Sequence, residues 1–274
     1  MLAADAVERY RQTGYHFPLD VLSAAEAAAA RARLEAQEAA LGGALAGALR
    51  QKPHLLFPWL HELVRHRVIL DAVESVLGPD LLCWSSSFFI KEPQAPGYVS
   101  WHQDATYWGL SSPDIMTVWL AFTPANEVNG CMKFAPATHH APVGHRDTFD
   151  ADNLLTRGQE LTVAVDESQT VSVHLQPGQA SLHHVLLHHG SAPNRSADRR
   201  IGYAIRYIPT YVRQVAGATD SATLVRGTDR FGHFEPEAAP LAGMDAAAVA
   251  QHRAVTERQA AVLYRGTGRA AFRA

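Results

Sequence analysis

The first 80 residues have the spacing of apolar positions that is typical of amphipathic helices. The sequences at residues 5–8 and 23–26 each place Asp or Ser three positions before Glu, which fits the capping box of a helix N-terminus. An Ala-rich stretch predicts a helix over residues 24–40, with a mobile arm as the alternative, and another helical stretch is predicted over residues 58–77. Residues 1–80 are therefore expected to form a helical N-terminal part.

From residue 81 to about residue 213 the apolar positions follow a period of two, as in β-strands. Asn129-Gly130 predicts a tight two-residue hairpin, since both central residues of a type I′ turn need positive φ. Regularly spaced antiparallel strands of this kind favour a sandwich, a jelly roll or a small barrel. The runs are separated by turn-forming sequences at residues 93–97, 111–114, 129–130, 177–178 and 193–194.

Residues 214–274 predict a loop followed by a helix over residues 244–264, with Asp245 as its N-cap. The chain has no internal repeat and no low-complexity linker. We therefore expect a single domain over residues 1–274, in which a β core of residues 81–213 follows the helical N-terminal part.

Composition and charge restrict the class of protein and the kinds of partner that this chain can have. With 47% hydrophobic and 19% charged residues, the 274-residue chain is typical of a globular protein in water. Its formal net charge of −3 includes no basic block, which argues against nucleic acid and membrane surfaces as partners. Two cysteines are too few for a disulfide framework, the acidic N-terminus is not a signal peptide, and no run approaches the roughly 20 apolar residues of a membrane span. We expect a cytoplasmic monomer or homodimer that binds a small molecule.

His102-Gln103-Asp104 is the first candidate for chemistry. It lies in a stretch rich in β-branched and aromatic residues, and side chains two residues apart in a strand project from the same face. One further histidine would complete the two-histidine, one-carboxylate ligand set of non-haem Fe(II) oxygenases. The alternative is a hydrogen-bonded His–Asp pair without a metal, because the chain has 15 histidines.

Residues 180–194 contain four histidines in one predicted strand, and these histidines offer that further ligand. Strand parity puts His183 and His189 on one face and His184 and His188 on the other. A hairpin centred on residues 194–195 places His189 opposite Arg200, and a shift of one residue pairs His188 with Arg200 instead. A guanidinium beside a metal ligand suits a dicarboxylate that chelates the metal at its other end, but a structural ion pair is the alternative.

These motifs together resemble the phytanoyl-CoA dioxygenase superfamily of Fe(II)/2-oxoglutarate enzymes, in particular its bacterial ectoine-hydroxylase-like members. The resemblance covers most of residues 85–213 and implies a mainly β fold with flanking helices, whose core is a double-stranded β-helix of the jelly-roll, cupin-like type. The matching sequences are Trp101-His102-Gln103-Asp104, Val128-Asn129-Gly130-Cys131-Met132, and His189-Gly190-Ser191 followed by Asn194 and Arg200.

The resemblance also implies roles for individual residues. In that family the metal-binding histidine directly precedes Gly-Ser, which selects His189, and the oxoglutarate-binding arginine follows eleven positions later, which selects Arg200. The implied Fe(II) ligands are His102, Asp104 and His189. The residues implied to contact 2-oxoglutarate are Arg200, Ser191 and Trp119, whereas His184 is expected to be structural.

The implied reaction uses 2-oxoglutarate and O2 to hydroxylate a C–H bond, with release of succinate and CO2. Asp104 argues against halogenation, because related halogenases lack this carboxylate. Four residues on or beside the predicted site strands are expected to contact the substrate, and their cations favour an anionic or zwitterionic small molecule. These residues are Lys91, Tyr107, Trp108 and Arg206.

Two other functions fit the same pattern. A cupin-like metalloenzyme that does not use 2-oxoglutarate predicts no role for Arg200. A non-catalytic, ligand-binding β-sandwich predicts that removal of metal and the substitution Asp104→Ala leave function intact.

Overall fold

Residues 1–272, which the computed structural model describes, are mainly β with flanking helices, as the sequence predicts. The helices are α1 (Ala4–Thr13), α2 (Ala24–Ala40), α3 (Pro58–Leu63), α4 (Arg67–Leu77) and α5 (Ala246–Leu263). The strands are β1 (Tyr15–Asp20), β2 (Leu81–Lys91), β3 (Val99–His102), β4 (Met116–Ala121), β5 (Lys133–Phe134), β6 (His145–Asp147), β7 (Gln159–Leu161), β8 (Val171–Ser172), β9 (Gln179–His184), β10 (His189–Ser191), β11 (Arg200–Pro209), β12 (Ser221–Arg226) and β13 (Glu235–Pro236).

Two sheets form the jelly-roll core. The main sheet is seven-stranded, in the order β1-β9-β4-β11-β2-β12-β13, and the small sheet is four-stranded, in the order β3-β10-β5-β8. Strands β6 and β7 form a separate pair. The chain passes repeatedly from one sheet to the other, so residues close in sequence, such as those of β9 and β10, lie in different sheets.

The central strand β11 explains why the main sheet has two different faces. Ile201, Tyr203, Ile205 and Tyr207 are fully buried in a cluster that includes side chains of α2, α3 and α4. The Tyr207 hydroxyl donates a hydrogen bond of 2.8 Å to the carbonyl of Val64 beside these helices. The alternate residues of β11, which include the two arginines of the strand, face the small sheet and line the space between the sheets.

Local capping signals predict the helix ends well. Ser23 and Glu26 make both hydrogen bonds of a capping box at the start of α2, and α2 has the predicted bounds. Asp245 caps α5 by accepting a hydrogen bond of 2.9 Å from the amide of Ala248. These signals work because donor and acceptor lie within one helical turn.

The helical prediction for residues 1–80 is wrong at three places. β1 lies in this segment as an edge strand, because its partner β9 is distant in sequence and no local pattern reveals it. Asp5 and Glu8 do not form a capping box, since α1 begins one residue before Asp5. The Asp5 carboxylate instead forms a salt bridge of 2.6 Å with Arg9. Residues 58–77 form two helices rather than one, with a break at residues 64–66.

Two predictions about the β core also differ from the structure. Asn129-Gly130 is not a two-residue hairpin, because only Gly130 has positive φ (70°) and the Asn129 side chain instead accepts a hydrogen bond from the amide of Asn126 at 2.9 Å. The sheet also continues past residue 213, since β12 pairs with β2 in the segment predicted to be a loop.

No helix within residues 1–272 is long and apolar enough to cross a membrane. Both cysteines, Cys83 and Cys131, are buried and free.

Candidate active site

A cavity between the two sheets contains the residues that the sequence singles out. It encloses about 380 Å³ of unfilled space, including its mouth. The main sheet contributes Phe89, Thr117, Trp119, His183, Arg200 and Arg206, and the small sheet contributes Val99, His102, His189 and Ser191.

His102 and His189 lie directly opposite each other on β3 and β10. Each ring points its Nδ1 at a carbonyl oxygen two residues earlier, Ser100 for His102 and Leu187 for His189, both at 2.9 Å. An imidazole nitrogen that donates to a carbonyl leaves the lone pair on the other nitrogen, so both Nε2 atoms are available as ligands. Burial, followed by the proximity of His102, holds the pKa of His189 well below its ordinary value, which keeps this ring neutral.

Asp104 completes the cluster from a different element than expected. β3 ends at His102, and Asp104 begins a single 3-10 turn, so the two residues do not share one strand face. Their side chains still meet, with 3.4 Å between His102 Nε2 and Asp104 Oδ1 and 4.0 Å between His189 Nε2 and the same oxygen. Burial raises the pKa of Asp104, but the proximity of the His102 and His183 rings outweighs it and holds the pKa well below its ordinary value.

These three side chains fit a metal ion. Their candidate ligand atoms all lie within 4.8 Å of one another, and all three residues are buried. Two neutral imidazoles and one carboxylate are the donor set of the facial triad of non-haem Fe(II) enzymes. Their assignment as ligands is a prediction that the geometry supports.

The prediction that four histidines share one strand is wrong. His183 and His184 end β9 in the main sheet, whereas His189 begins β10 in the small sheet. Both His183 and His189 nevertheless line the cavity, because the two sheets face each other. The hairpin pairing of His189 with Arg200 is wrong for the same reason: Arg200 pairs with Lys91 on β2, and it reaches the cavity from the opposite sheet.

Arg200 is a fully buried cation at the end of the cavity. Its Nη1 donates to the Gly130 carbonyl at 2.8 Å, and its guanidinium lies over the Trp119 ring at 5.1 Å. No carboxylate in residues 1–272 forms a salt bridge with it, although burial lowers its pKa only to about 10. Such a cation is suited to an anionic ligand.

A glycine positions Trp119 beside Arg200. A Cβ added to Gly202 would lie 1.8 Å from Cζ2 of the Trp119 ring, so the indole lies directly against the backbone of β11. Trp119 and Ser191, both expected to contact the co-substrate, line the same cavity as Arg200.

His183 is a cavity residue that the sequence interpretation did not select. Its Nε2 lies 3.8 Å from Asp104 Oδ2, and its ring lies 4.7 Å from the ring of His189. Its Nδ1 is buried without a hydrogen-bond partner among the described residues. The sequence contains a signal for this position, because strand parity puts His183 on the same face as His189. His184, the histidine expected to be structural, is not among the residues that line the cavity, and its ring lies 5.2 Å from the ring of His139.

The four residues expected to contact substrate separate into two groups. Lys91 is buried outside the cavity, where its Nζ donates to the Ser191 hydroxyl at 2.7 Å, and burial together with Arg200 lowers its pKa to about 6. Tyr107 packs under the guanidinium of Arg157 at 3.8 Å instead of facing the metal cluster. Both side chains therefore have structural partners away from the cavity, and their contact with substrate stays a prediction.

Arg206 and Trp108 belong to the other group. Arg206 lines the first cavity and also a second cavity, which has about 590 Å³ of unfilled space including its mouth and whose wall includes Trp108 and Asp104. Trp108 packs against Trp84, with 4.9 Å between ring centroids.

Comparisons with known proteins agree with this site. The family model described as phytanoyl-CoA dioxygenase (PhyH) matches residues 1–202, which include the three clustered residues and Arg200. A curated relative, the probable alpha-ketoglutarate-dependent hypophosphite dioxygenase of Stutzerimonas stutzeri, is 33% identical over 162 residues, or 56% of each chain. The chain thus spans about half the length of the curated relatives it matches.

Two solved structures are similar over most of their length. The non-haem monooxygenase ThoJ in its apo form is 39% identical, with a TM-score of 0.82 over 93% of this chain and 96% of that chain. CytC3 with Fe(II) and alpha-ketoglutarate is 26% identical, with a TM-score of 0.68 over 89% of this chain and 96% of that chain.

Proposed function

Because the chain belongs to the phytanoyl-CoA dioxygenase family, we propose that it hydroxylates a C–H bond of a small molecule. The fold and the cofactor class are those of Fe(II)- and 2-oxoglutarate-dependent oxygenases. The substrate is a small molecule, as for related enzymes. We further propose that it is anionic or zwitterionic, with Arg206 rather than Lys91 as the cation that favours it.

One observation carries the proposal: the metal-binding cluster and a buried, unpaired guanidinium line the same cavity from opposite sheets. His102, Asp104 and His189 would hold Fe(II). Arg200 would bind the far carboxylate of 2-oxoglutarate, whose other end chelates the metal.

Fe(II), when bound, supplies the activation of O2: one oxygen atom enters succinate as 2-oxoglutarate loses CO2, and the other becomes the hydroxyl group of the product. The chain positions the reactants around it. Thr117 orients the Asp104 carboxylate through a hydrogen bond of 2.9 Å. Arg200, stacked on Trp119, orients the co-substrate, and the apolar side chains of Phe89 and Val99 limit access of water.

Arg200 argues against a cupin-like enzyme that does not use 2-oxoglutarate, because such an enzyme gives this buried cation no ligand. Asp104 argues against halogenation, since the carboxylate fills the position that a halide would need. Burying a charge without a partner costs several kcal/mol, roughly, which favours a function for Arg200 in binding.

The metal site is tested by anaerobic addition of Fe(II) and 2-oxoglutarate, which should produce a visible metal-to-ligand charge-transfer band. Asp104→Ala and His189→Ala should weaken this band strongly, because each removes a ligand. His188→Ala is the matched control and should preserve the band, since His188 is not among the residues that line the cavity. A band lost in His188→Ala and kept in His189→Ala would contradict the assignment.

The co-substrate site is tested by titrating 2-oxoglutarate into the Fe(II) protein and its variants. Arg200→Ala should raise the dissociation constant for 2-oxoglutarate about ten- to hundredfold, because a charge-assisted bidentate contact is lost. Arg195→Ala removes an exposed arginine nearby in the sequence and should leave the constant unchanged. Unchanged binding in Arg200→Ala would favour the cupin-like alternative.

A further inference from the structure

A second cavity adjoins the cavity that holds the metal-binding cluster. The two cavities share Phe89, Asp104 and Arg206 in their walls, so the carboxylate of the cluster is reachable from both. Residues of α5, Gln259 and Leu263, line its far side.

Arg206 is the cation at the junction of the two cavities. Its side chain is buried, with only 6% of the residue exposed. Its Nη1 donates to the Ser87 hydroxyl and to the Ala204 carbonyl, the latter at 3.4 Å. Its Nε is buried and has no hydrogen-bond partner among residues 1–272. The Nε–H group of Arg206 is therefore a donor that no described residue satisfies.

Two other mostly buried arginines have carboxylate partners, unlike Arg206. Arg157 pairs with Asp147 at 2.9 Å, and Arg199 pairs with Glu38 at 2.8 Å. Arg200 and Arg206 both lack a carboxylate within salt-bridge distance in the described part of the chain. If Arg200 binds 2-oxoglutarate, Arg206 remains as the other buried arginine without a salt-bridge partner among the described residues.

The charges of the loaded site also leave Arg206 uncompensated. Asp104 lowers the cost of burying Arg206 in the metal-free protein, since the two groups attract each other. A bound Fe(II) ion takes up the charge of Asp104, and 2-oxoglutarate matches Arg200 and the remaining charge of the ion. Arg206 is then left to attract an additional anion.

Aromatic rings shape the space around this cation. The Arg206 guanidinium lies 5.7 Å from the ring centroids of both Phe89 and Trp108. Trp108 packs against Trp84, and both side chains line the second cavity. This arrangement holds the guanidinium in place and provides an apolar wall next to it.

We propose that the second cavity is the substrate pocket and that Arg206 binds an oxyanion of the substrate, a carboxylate or phosphonate, while an apolar part lies against Trp84 and Trp108. This inference rests on the proposed function, because the reacting carbon must reach the metal beside Asp104. It assigns to Arg206 the selection of substrate and to Arg200 the binding of the co-substrate.

The test uses the full chain loaded anaerobically with Fe(II) and 2-oxoglutarate, and three probes of the same shape. These are 3-phenylpropionate, 2-phenylethylphosphonate and the neutral 3-phenylpropionamide. Probe binding is followed by the change in the charge-transfer band and by quenching of tryptophan fluorescence. The wild-type protein should bind both anions more tightly than the amide by about tenfold or more, and a preference for one anion identifies the oxyanion.

Three variants separate the contribution of Arg206 to probe binding from that of the remainder of the site. Arg206→Gln should weaken binding of the anions about ten- to hundredfold while the amide and the 2-oxoglutarate titration change little. Leu263→Trp, which narrows the pocket from α5, should reduce binding of all three probes without loss of the 2-oxoglutarate band. Arg213→Gln, a change at an exposed arginine, should leave all binding unchanged.

Three results would overturn the inference: equal binding of anions and amide to the wild-type protein, anion binding unaffected by Arg206→Gln, or loss of the 2-oxoglutarate band in Arg206→Gln. If that variant does not fold by circular dichroism, Arg206→Lys replaces it and should weaken the anions more than the amide, because it loses the planar guanidinium fork; equal effects on anions and amide would overturn the inference. Absence of any band in the wild-type protein would instead refute the proposed function itself.

Discussion

The two oxygens of Asp104 have different neighbours. Oδ2 accepts a hydrogen bond of 2.9 Å from the Thr117 hydroxyl and lies 3.8 Å from His183 Nε2. Oδ1 faces His102 and His189, at 3.4 and 4.0 Å from their Nε2 atoms. Thr117 therefore fixes the rotation of the carboxylate, and Oδ1 is the oxygen that is left for a metal.

Thr117→Val removes this hydrogen bond with almost no change of volume. We expect the affinity for Fe(II) to fall by about ten- to hundredfold, because partners that orient a ligand contribute on that scale. The measurement is a competition titration of Fe(II) against a chelator under anaerobic conditions. Thr228→Val, the same substitution at an exposed position, is the control. Equal affinities for Fe(II) in the wild-type protein and Thr117→Val would show that Asp104 needs no such support.

At the scale of elements, the contact between β4 and β11 joins the co-substrate site to the sheet. Ala204 of β11 lies opposite Trp119 of β4, and the indole crosses over Gly202. Any side chain at Gly202 would displace the ring on which Arg200 stacks.

Gly202→Ala should therefore weaken 2-oxoglutarate binding although residue 202 touches no ligand. We expect a loss of about threefold to thirtyfold, because the guanidinium loses its aromatic support, and a destabilisation of about 1–3 kcal/mol from overpacking. The readouts are the 2-oxoglutarate titration and chemical denaturation. Gly43→Ala, where an added Cβ meets nothing within 4 Å, should change neither quantity. If Gly202→Ala lowers stability and leaves 2-oxoglutarate binding intact, Trp119 does not act through Arg200.

The same elements explain what the sequence can predict. The helix ends at Ser23 and Asp245 are predicted because their hydrogen bonds lie within one turn. The period of β11 correctly places Arg200 and Arg206 on the face opposite the apolar cluster. The partner of a strand, in contrast, depends on contacts between distant segments, and no local pattern encodes them.

The candidate site shows the same contrast: local motifs identify its residues, whereas contacts between distant segments determine its geometry. His102, Asp104, His189 and Arg200 were selected through sequence motifs, and the structure brings all four to one cavity. The predicted geometry was a hairpin ladder, whereas the actual geometry is two facing sheets. His183 was missed as a cavity residue because its approach to Asp104 depends on where β9 lies against the small sheet.

At the scale of the whole molecule, buried histidines connect stability to pH. Burial, followed by the charge of Arg65, lowers the pKa of His61 to about 4. Burial, followed by His139, lowers the pKa of His184 to about 4 as well. An unfolded chain protonates its histidines near pH 6.5, so between about pH 6.5 and 4 it binds protons that the folded protein does not.

The free energy of unfolding should therefore fall as the pH is lowered through this window and be insensitive to these groups above it. Urea denaturation of the metal-free protein at about pH 7.5 and about pH 5 measures the effect. His184→Asn should reduce the loss between the two pH values, whereas His174→Asn, a change at an exposed histidine, should not. Equal or greater stability at the lower pH would contradict the expectation.

The opposed pair His102 and His189 has a consequence for the connectivity of the chain. These residues enclose a long loop that includes β4 through β9, and its ends are joined by the short strands β3 and β10 and by a few hydrogen bonds beside them. A metal ion held by both rings would act as a removable cross-link, since closing a long loop withdraws entropy from the unfolded chain. Loading the protein with metal would thus slow the opening of the small sheet first, and proteases would find fewer cleavable conformations between residues 102 and 189.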